Sequence, residues 1–337
     1  MKEPNQNQSV NNLLDEISIL IEHSKNKVVV QSNSVLMQLF WKIGATINLS
    51  ILENKRAEYG KKIVASLSRE LTEKYGRSFE EKNIRRMLQF AEQFSDFEIV
   101  VTMSRQLSWS HVLVLLPLKE MESKLFYAQQ ISKQSLSVRE LRKLIASKTF
   151  ERIEIANVQT NVEVSIPKNT FKDPYLFDFL NLNNSYLEKD LENAILKDLE
   201  SFILELGKGF AFVERQKRMI IDNEDFYLDL LFYHRKLKRL VAIELKLGKF
   251  QAKHKGQMEL YLKWLDKYEK QEDENAPIGL ILCAESSREQ IELLEMGKDG
   301  IIVAEYWTDL PPKKQFENKI HNLLIEAKEK MEIKKLL

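Results

Sequence analysis

Three short segments, residues 210–221, 226–233 and 240–247, are rich in aromatic and β-branched side chains and are separated by polar clusters. No helical period runs through them, and each is too short to bury itself alone, so they must pair as strands of one sheet. Three strands leave that sheet incomplete, and the neighbouring segments extend it. A helical pattern over 255–268, an apolar strand at 278–284, a helix at 287–296 and a strand at 300–306 come after it, and a strongly periodic helix over 186–206 precedes it. The resulting order is αβββαβαβ, with Gly207 and Gly209 as C-terminal breakers of the first helix.

Everything before about residue 151 has a different texture. Apolar residues recur at helical spacing from Leu13 to Leu52, through Leu14, Ile17, Leu20 and Ile21 and then Val35, Leu36, Leu39, Phe40 and Ile43, which reads as a core-facing stripe with Gly44 tolerated in or after a turn. Residues 59–75 form another helix stopped by Gly76, Ser78 reads as the N-cap of the next, and Ser137 with Glu140 makes a capping-box pattern. Residues 151–175 carry Asn, Thr and two prolines, Pro167 and Pro174, and read as a linker. The expected organisation is a helical domain over 9–150, the linker over 151–175, and an α/β domain over 176–337.

Composition narrows the function classes. The 337 residues are 44% hydrophobic and 30% charged, with 51 Lys and Arg against 50 Asp and Glu, which excludes a disordered or tail-dominated chain. Cys283 stands alone, so neither an intrachain disulfide nor a cysteine-rich zinc site can form, and five scattered histidines show no zinc spacing. The polar, acidic N-terminus lacks a signal-peptide core and no stretch approaches 18 apolar residues, so a cytoplasmic location without membrane contact is expected. The string LGKGFAF lacks the P-loop spacing, so the chain is not expected to drive its chemistry with ATP.

The chemistry is carried by acids inside the strands. Period-two alternation puts Tyr227, Asp229, Leu231 and Tyr233 on one face of the second strand, with Leu228, Leu230 and Phe232 on the other, and puts Ala242, Glu244 and Lys246 together on the third. A hairpin through the HRKLKR stretch lays Asp229 beside Glu244, fifteen residues on. Two converging carboxylates with an ammonium behind them suit phosphodiester hydrolysis: hard oxygen ligands hold Mg²⁺, with Mn²⁺ as a substitute, and the lysine orients or activates water. Glu-x-Lys by itself recurs at six other places, from Glu53/Lys55 to Glu332/Lys334, all in polar sequence; an unpaired carboxylate is costly only within an apolar strand.

This arrangement resembles the PD-(D/E)XK nuclease superfamily, with its αβββαβ restriction-endonuclease-like core, Asp on the second strand and Glu-x-Lys on the third. Leu228 stands where the classical pattern has proline. The resemblance implies a further acid from the core helix, for which Glu200 is the best positional match and Glu192 and Glu205 are alternatives. Gln257 and Tyr261 resemble the superfamily's Gln-x-x-x-Tyr motif, one helical turn apart. More closely, ELGKGFAF, DLLFYHR, LVAIELKLGKF and GQMELYL, together with YGKKIVASLSREL and LSWSHVLVLL, are similar to bacterial YhcG-type proteins over most of residues 12–310. That likeness implies a winged-helix-like N-terminal domain ahead of a metal-dependent nuclease domain.

The accessory assignments depend on it. Gln216 and His234 are further candidates for supporting the site or touching substrate, although a turn histidine is more often solvated, and His111 reads as a packing or hydrogen-bonding residue. Residues 208–263 hold 13 Lys and Arg against 7 Asp and Glu, an excess of 13 − 7 = +6 that fits a polyanion, with DNA the expected substrate. Arg85, Arg86, Arg139 and Arg142 on N-terminal helices are candidates for backbone phosphates or for local salt bridges. Two other readings stay open: a non-catalytic nucleic-acid-binding module on a nuclease-like fold, and a helical interaction protein with a defence-system protein partner. The stripe in residues 316–331 is compatible with a homo-oligomer or with core cover.

Overall fold

A computed structural model describes residues 6–53, 57–158, 166–182 and 187–336, and the chain divides into two compact units, residues 1–147 and 148–337. The first holds helices α1 (Gln6–Glu53), α2 (Ala57–Tyr75), α3 (Glu81–Gln93), α4 (Phe97–Ser104), α5 (Trp109–Leu115), α6 (Met121–Gln134) and α7 (Val138–Ala146). Its described residues contain no strand, so the β-hairpin of a winged helix is not found among them.

The core of this unit forms where α1 crosses α3. Phe40 and Ile47 of α1 bury against Val64, Ile84 and Met87, with Trp109 stacked edge-on to Phe40 and Phe90. Gly44 is required there, because a Cβ would stand 2.0 Å from the Met87 carbonyl oxygen. Trp41 Nε1 and Asn48 Nδ2 donate across the same crossing to the Phe94 and Leu88 carbonyls. The expected core stripe is correct only here. Leu14, Ile17, Leu20, Ile21, Val35, Leu36 and Leu39 are all exposed.

The local capping signals differ in outcome. Ser137 and Glu140 close the expected capping box at 2.7 and 3.3 Å. Ser78 does not cap α3: it lies within a 3₁₀ turn, Arg77–Phe79, and Glu80 stands at the N-cap. The His111 ring caps α5 through Ser108 N–H at 3.1 Å and meets the Leu136 carbonyl at 3.0 Å, the hydrogen-bonding place expected for it.

The second unit holds α8 (Thr149–Asn157), β1 (Tyr175–Leu176), α9 (Glu188–Lys197), α10 (Leu199–Leu206), β2 (Phe210–Ile221), β3 (Glu224–His234), β4 (Arg239–Lys249), α11 (Ala252–Tyr268), β5 (Ile278–Glu285), α12 (Arg288–Leu293), β6 (Ile301–Trp307) and α13 (Lys313–Leu336). The six strands form one sheet in the order β1-β6-β5-β4-β3-β2. Strands β2, β3 and β4 are antiparallel, and β4, β5, β6 and β1 run parallel. Apolar side chains cover both faces, as a parallel sheet demands. On one face Leu191, Ile195, Phe202 and Leu206 pack on Val241, Ile243 and Leu245; on the other Met258, Tyr261 and Leu265 pack on Leu231 and Ala242.

The expected linker is in large part structure. Residues 159–165 lie outside the described residues, but α8 before them and the segment after them are built into the second unit. Arg152 is fully buried and pairs through Nη1 with Glu205 and with the Pro174 carbonyl, at 3.1 Å for the latter. Lys172 Nζ lies 3.2 Å from the same carboxylate, and Asp173 accepts from Glu305 N–H at 3.0 Å. Burial alone would raise the Glu205 carboxyl, yet Lys172 and Arg152 hold it below the usual range. Helix α13 lays Phe316, Ile320, Leu324 and Ala327 on Ile155 and Leu176, so its stripe is core cover rather than a free surface. No helix among the described residues is long and apolar enough to cross a membrane.

Candidate active site

The site forms where β3 leaves β4. Their register runs from His234↔Arg239 to Leu230↔Ile243, and the next residues would be Asp229 and Glu244. There the Asp229 carboxylate takes the place of the strand partner and accepts from Leu245 N–H at 2.8 Å, while Asp229 N–H donates to Glu244 Oε1 at 3.4 Å. Strand β3 continues from that point with β2 alone, down to Ile221↔Glu224. The alternation expected along β3 therefore breaks at Asp229: Leu230 and Phe232 join one core, but Leu228 joins the other.

Lys246 lies two residues beyond Glu244 on the same face, its Nζ 2.8 Å from Glu244 Oε2. Glu244 is 3% exposed; burial and, after it, the Asp229 charge push its carboxyl up to about 7. Asp229 is likewise raised, chiefly by burial, with Leu245 N–H and Lys246 opposing. Burial would lower the Lys246 ammonium, but Glu244 outweighs it and holds the group above its ordinary value, hence protonated at neutral pH. The expected trio is thus brought together.

Gln216 completes the near shell. It lies across from Asp229 on β2, between the pairs Arg215↔Leu230 and Lys217↔Leu228, just past the irregularity at Phe212/Glu214. Its φ of 46° is left-handed, an uncommon conformation for a non-glycine strand residue, and such a distortion re-aims a side chain. Its Nε2 donates to Asp229 Oδ1 at 3.2 Å and to Glu192 Oε2 at 3.0 Å.

Of the helix acids it is Glu192, not Glu200, that the structure brings to Asp229, through their shared partner Gln216. The single helix expected over 186–206 starts beyond residues 183–186, which lie outside the described residues, and breaks at Asp198, whose Oδ1 accepts from Ser201 N–H at 3.3 Å to start α10. Glu200 falls in the exposed first turn of α10, whereas Glu192 is 8% exposed and its carboxyl is raised by burial and by Asp229. Glu205, the other alternative, is committed to Arg152 and Lys172. Sequence reasoning passed over Glu188, whose charge acts on Asp229 and Lys246; its place four residues before Glu192, on the same helix face, was the available signal.

Gln257 and Tyr261 sit on the α11 face turned to the splayed end of β3. Gln257 Nε2 donates to Tyr261 Oη at 2.7 Å, and Tyr261 Oη donates to the Tyr227 carbonyl at 3.3 Å. Burial raises the Tyr261 phenol, and the charges of Glu244, Lys246 and Asp229 all act on it. His254, one turn before Gln257, caps α11 by accepting from Gln251 N–H at 3.2 Å, and burial and then Lys246 lower its pKa. His234 does not belong to the site. Five residues, about 16 Å along the strand, separate it from Asp229, and it is buried at the hairpin end, accepting from Leu237 N–H at 3.3 Å and packing on Phe210.

The basic excess over 208–263 is partly spent within the fold. Lys217, Arg218, Lys249 and Lys255 are in ion pairs and Arg239 is buried, leaving exposed Arg215, Arg235 and Lys253 among those facing solvent. On the helical unit Arg85 pairs with Glu81 and Arg86 donates to Asn83, which accounts for both locally; Arg139 and Arg142 are exposed.

Comparison with known proteins places both halves of the chain. Residues 168–321 match the YhcG PDDEXK nuclease domain and residues 16–152 match the DUF1016 N-terminal domain. The chain is 31% identical to "Putative nuclease YhcG" of Escherichia coli (strain K12), over 91% of this chain and 92% of that protein. Among solved structures, a repair endonuclease from Pyrococcus abyssi matches 39% of this chain and 50% of its own at 21% identity and a TM-score of 0.27. EndoMS in apo form matches 39% and 49% at 17% identity and a TM-score of 0.26. The chain thus spans about half the length of these structures, a likeness too slight to argue from. With both halves matched in order and nearly the full length aligned, the chain belongs to the YhcG family, a DUF1016 N-terminal domain followed by a PDDEXK nuclease domain.

Proposed function

We propose that the chain hydrolyses phosphodiester bonds of DNA with Mg²⁺, Mn²⁺ substituting, at Asp229, Glu244 and Lys246. The observation that carries this reading is the meeting of a buried carboxylate, Glu244, and a half-buried one, Asp229, with one ammonium at the point where β3 and β4 part. The donor set fits a hard divalent cation: two carboxylates converge with their proton affinities raised, which marks a deficit of positive charge. No group of three or more His, Cys, Asp or Glu that could hold a metal occurs among the described residues, but Mg²⁺ commonly takes only one or two carboxylates plus waters and substrate oxygens. Asp229 and Glu244 would hold the ion, which when bound supplies neutralisation of phosphate charge and a more acidic water.

The chain's own groups do the rest. Lys246, held protonated by Glu244, donates to phosphate oxygens or to the attacking water and stabilises the charge that builds in the transition state. Gln216 fixes the Asp229 rotamer and ties Glu192 to it, so the acids are positioned before substrate arrives. Gln257 and Tyr261 line the adjoining helix face and support the strand that carries Asp229. Exposed Arg215, Arg235 and Lys253 meet the sugar–phosphate backbone, and the DUF1016 unit delivers the nucleic acid.

The test is cleavage of labelled single-stranded, double-stranded and branched DNA, with RNA alongside, in Mg²⁺, Mn²⁺ or EDTA. Metal-dependent cutting of DNA, lost in Asp229→Ala and Lys246→Ala but retained in Glu200→Gln, is the expected result. Binding without cutting, unchanged by either substitution, sinks the catalytic reading in favour of a binding module.

A further inference from the structure

Helix α1 runs 48 residues, about 72 Å, and only its C-terminal part is built into the helical unit. There Met37, Phe40, Gly44 and Ile47 are buried on one face. Leu14, Ile21, Val28 and Val35 succeed one another at a spacing of seven, with Ile17 and Leu39 beside them. At about 100° per residue these six fall within about 60° of the helix circumference, on the side opposite the buried face. All six are between 42% and 64% exposed. A seven-residue period is the spacing that keeps one seam against a second helix.

The charge along this helix points to what covers the seam. Residues 13–22 carry Asp15, Glu16 and Glu22 and no base, whereas residues 23–42 carry Lys25, Lys27 and Lys42 and no acid. A parallel copy would set like charges side by side; an antiparallel copy sets acids along bases. The area is sufficient as well. Full burial of an aliphatic side chain corresponds to roughly 60–120 Å² at 25 cal/mol per Å². The six seam residues with Leu20 and Leu36, each about half exposed, then supply on the order of 250–500 Å² per copy, and flanking stems of Lys25 and Lys27 and the backbone bring a pair toward the roughly 1,000 Å² that a specific interface needs.

We propose that α1 is the dimerisation element of this chain, pairing antiparallel with α1 of a second copy through the Leu14–Leu39 seam, in a register that sets Ile17 opposite the second copy's Val28 and Val35 and Leu39 against the first turns of the second copy's helix, residues 6–10. In that register Ser24 meets Ile21, a small residue against a large one at the centre, and Glu16 lies within a turn of Lys27 of the other copy. The inference is independent of the nuclease reading, since no residue of α1 takes part in the site.

Sedimentation equilibrium of the full chain tests it. A mass twice 39.6 kDa is expected across a micromolar concentration series. Ile21→Asp with Val28→Asp should return the monomer with unchanged far-UV circular dichroism, because both positions are solvent-exposed. Lys25→Glu with Lys27→Glu should weaken the dimer at least tenfold at low salt and less at high salt. With Cys283 buried, a short bismaleimide should join a Glu16→Cys chain to a Lys27→Cys chain but not two Glu16→Cys chains. A monomeric native chain, a dimer indifferent to the aspartates, or linkage between two Glu16→Cys chains would each overturn the proposal.

Discussion

Replacing Glu244 by Gln should stabilise the metal-free protein above neutral pH while abolishing cleavage. The Glu244 carboxyl is pushed up to about 7 from an ordinary 4.5 by burial and by Asp229. The folded state therefore binds this proton more tightly than the unfolded chain does. Stability contributed by the proton is fully present below about pH 4.5 and is lost as pH rises to about 7, and the shift corresponds to about 3 kcal/mol at most. Glutamine keeps the shape and the hydrogen-bonding capacity without the charge. Its gain is smaller than the full figure, because Lys246 loses the partner that raises its own pKa; a net of about 1–2 kcal/mol remains, or about 2–8 °C in Tm for a unit of this size. Thermal and urea unfolding of native and Glu244→Gln protein in EDTA from pH 4.5 to 8 measures both quantities. The two proteins should be nearly equal at pH 4.5 and diverge as pH rises, and Mg²⁺ should raise the native Tm at pH 8 while leaving the variant unmoved. A variant less stable than native at pH 8 in EDTA, or one with the same pH slope, refutes the account of two carboxylates held in a cation-deficient site.

Glu192→Gln should lower kcat about 10–100-fold with little change in KM, as expected for an acid positioned through Gln216, whereas Glu200→Gln should leave both within twofold; steady-state cleavage of one labelled substrate decides between them. Arg152→Met leaves Glu205 and Lys172 buried without their third charge and should cost the second unit about 3 kcal/mol, read from the urea midpoint. Gly209→Ala should cost about 1–3 kcal/mol, since φ is 102° and the new methyl would stand 2.9 Å from His234 Cε1; an unchanged Tm would mean that this hairpin end is not packed as described.

Local period and burial cost are what make part of this fold legible in the sequence. The strands carrying Asp229 and Glu244 can be found because a carboxylate inside an apolar run has to converge on something, and a hairpin of that length brings the two opposite each other. The features that escape depend on small departures from regularity. One residue of helix break at Asp198 moves Glu200 to the surface and leaves Glu192 as the acid that reaches Asp229, yet no period distinguishes a continuous helix from one re-capped after a single turn residue. The left-handed Gln216 and the crossing of Leu228 to the opposite core are the same kind of event, since strand alternation assumes an unbroken pairing that the Asp229 carboxylate itself interrupts by accepting from Leu245 N–H. The linker expectation fails for a related reason: Pro167 and Pro174 forbid regular helix locally, but Arg152 and Asp173 anchor the segment through side-chain contacts to the distant Glu205 and Glu305, which leave no periodic trace. In α1 the helical period is right, but the core-facing assignment holds only around Phe40 and Ile43, because a heptad of aliphatics declares only that the face must be covered and is silent on whether the cover is the same chain. The residues proposed to carry the chemistry are therefore the ones that break the pattern, and the left-handed Gln216, bonded to Asp229, is one of them.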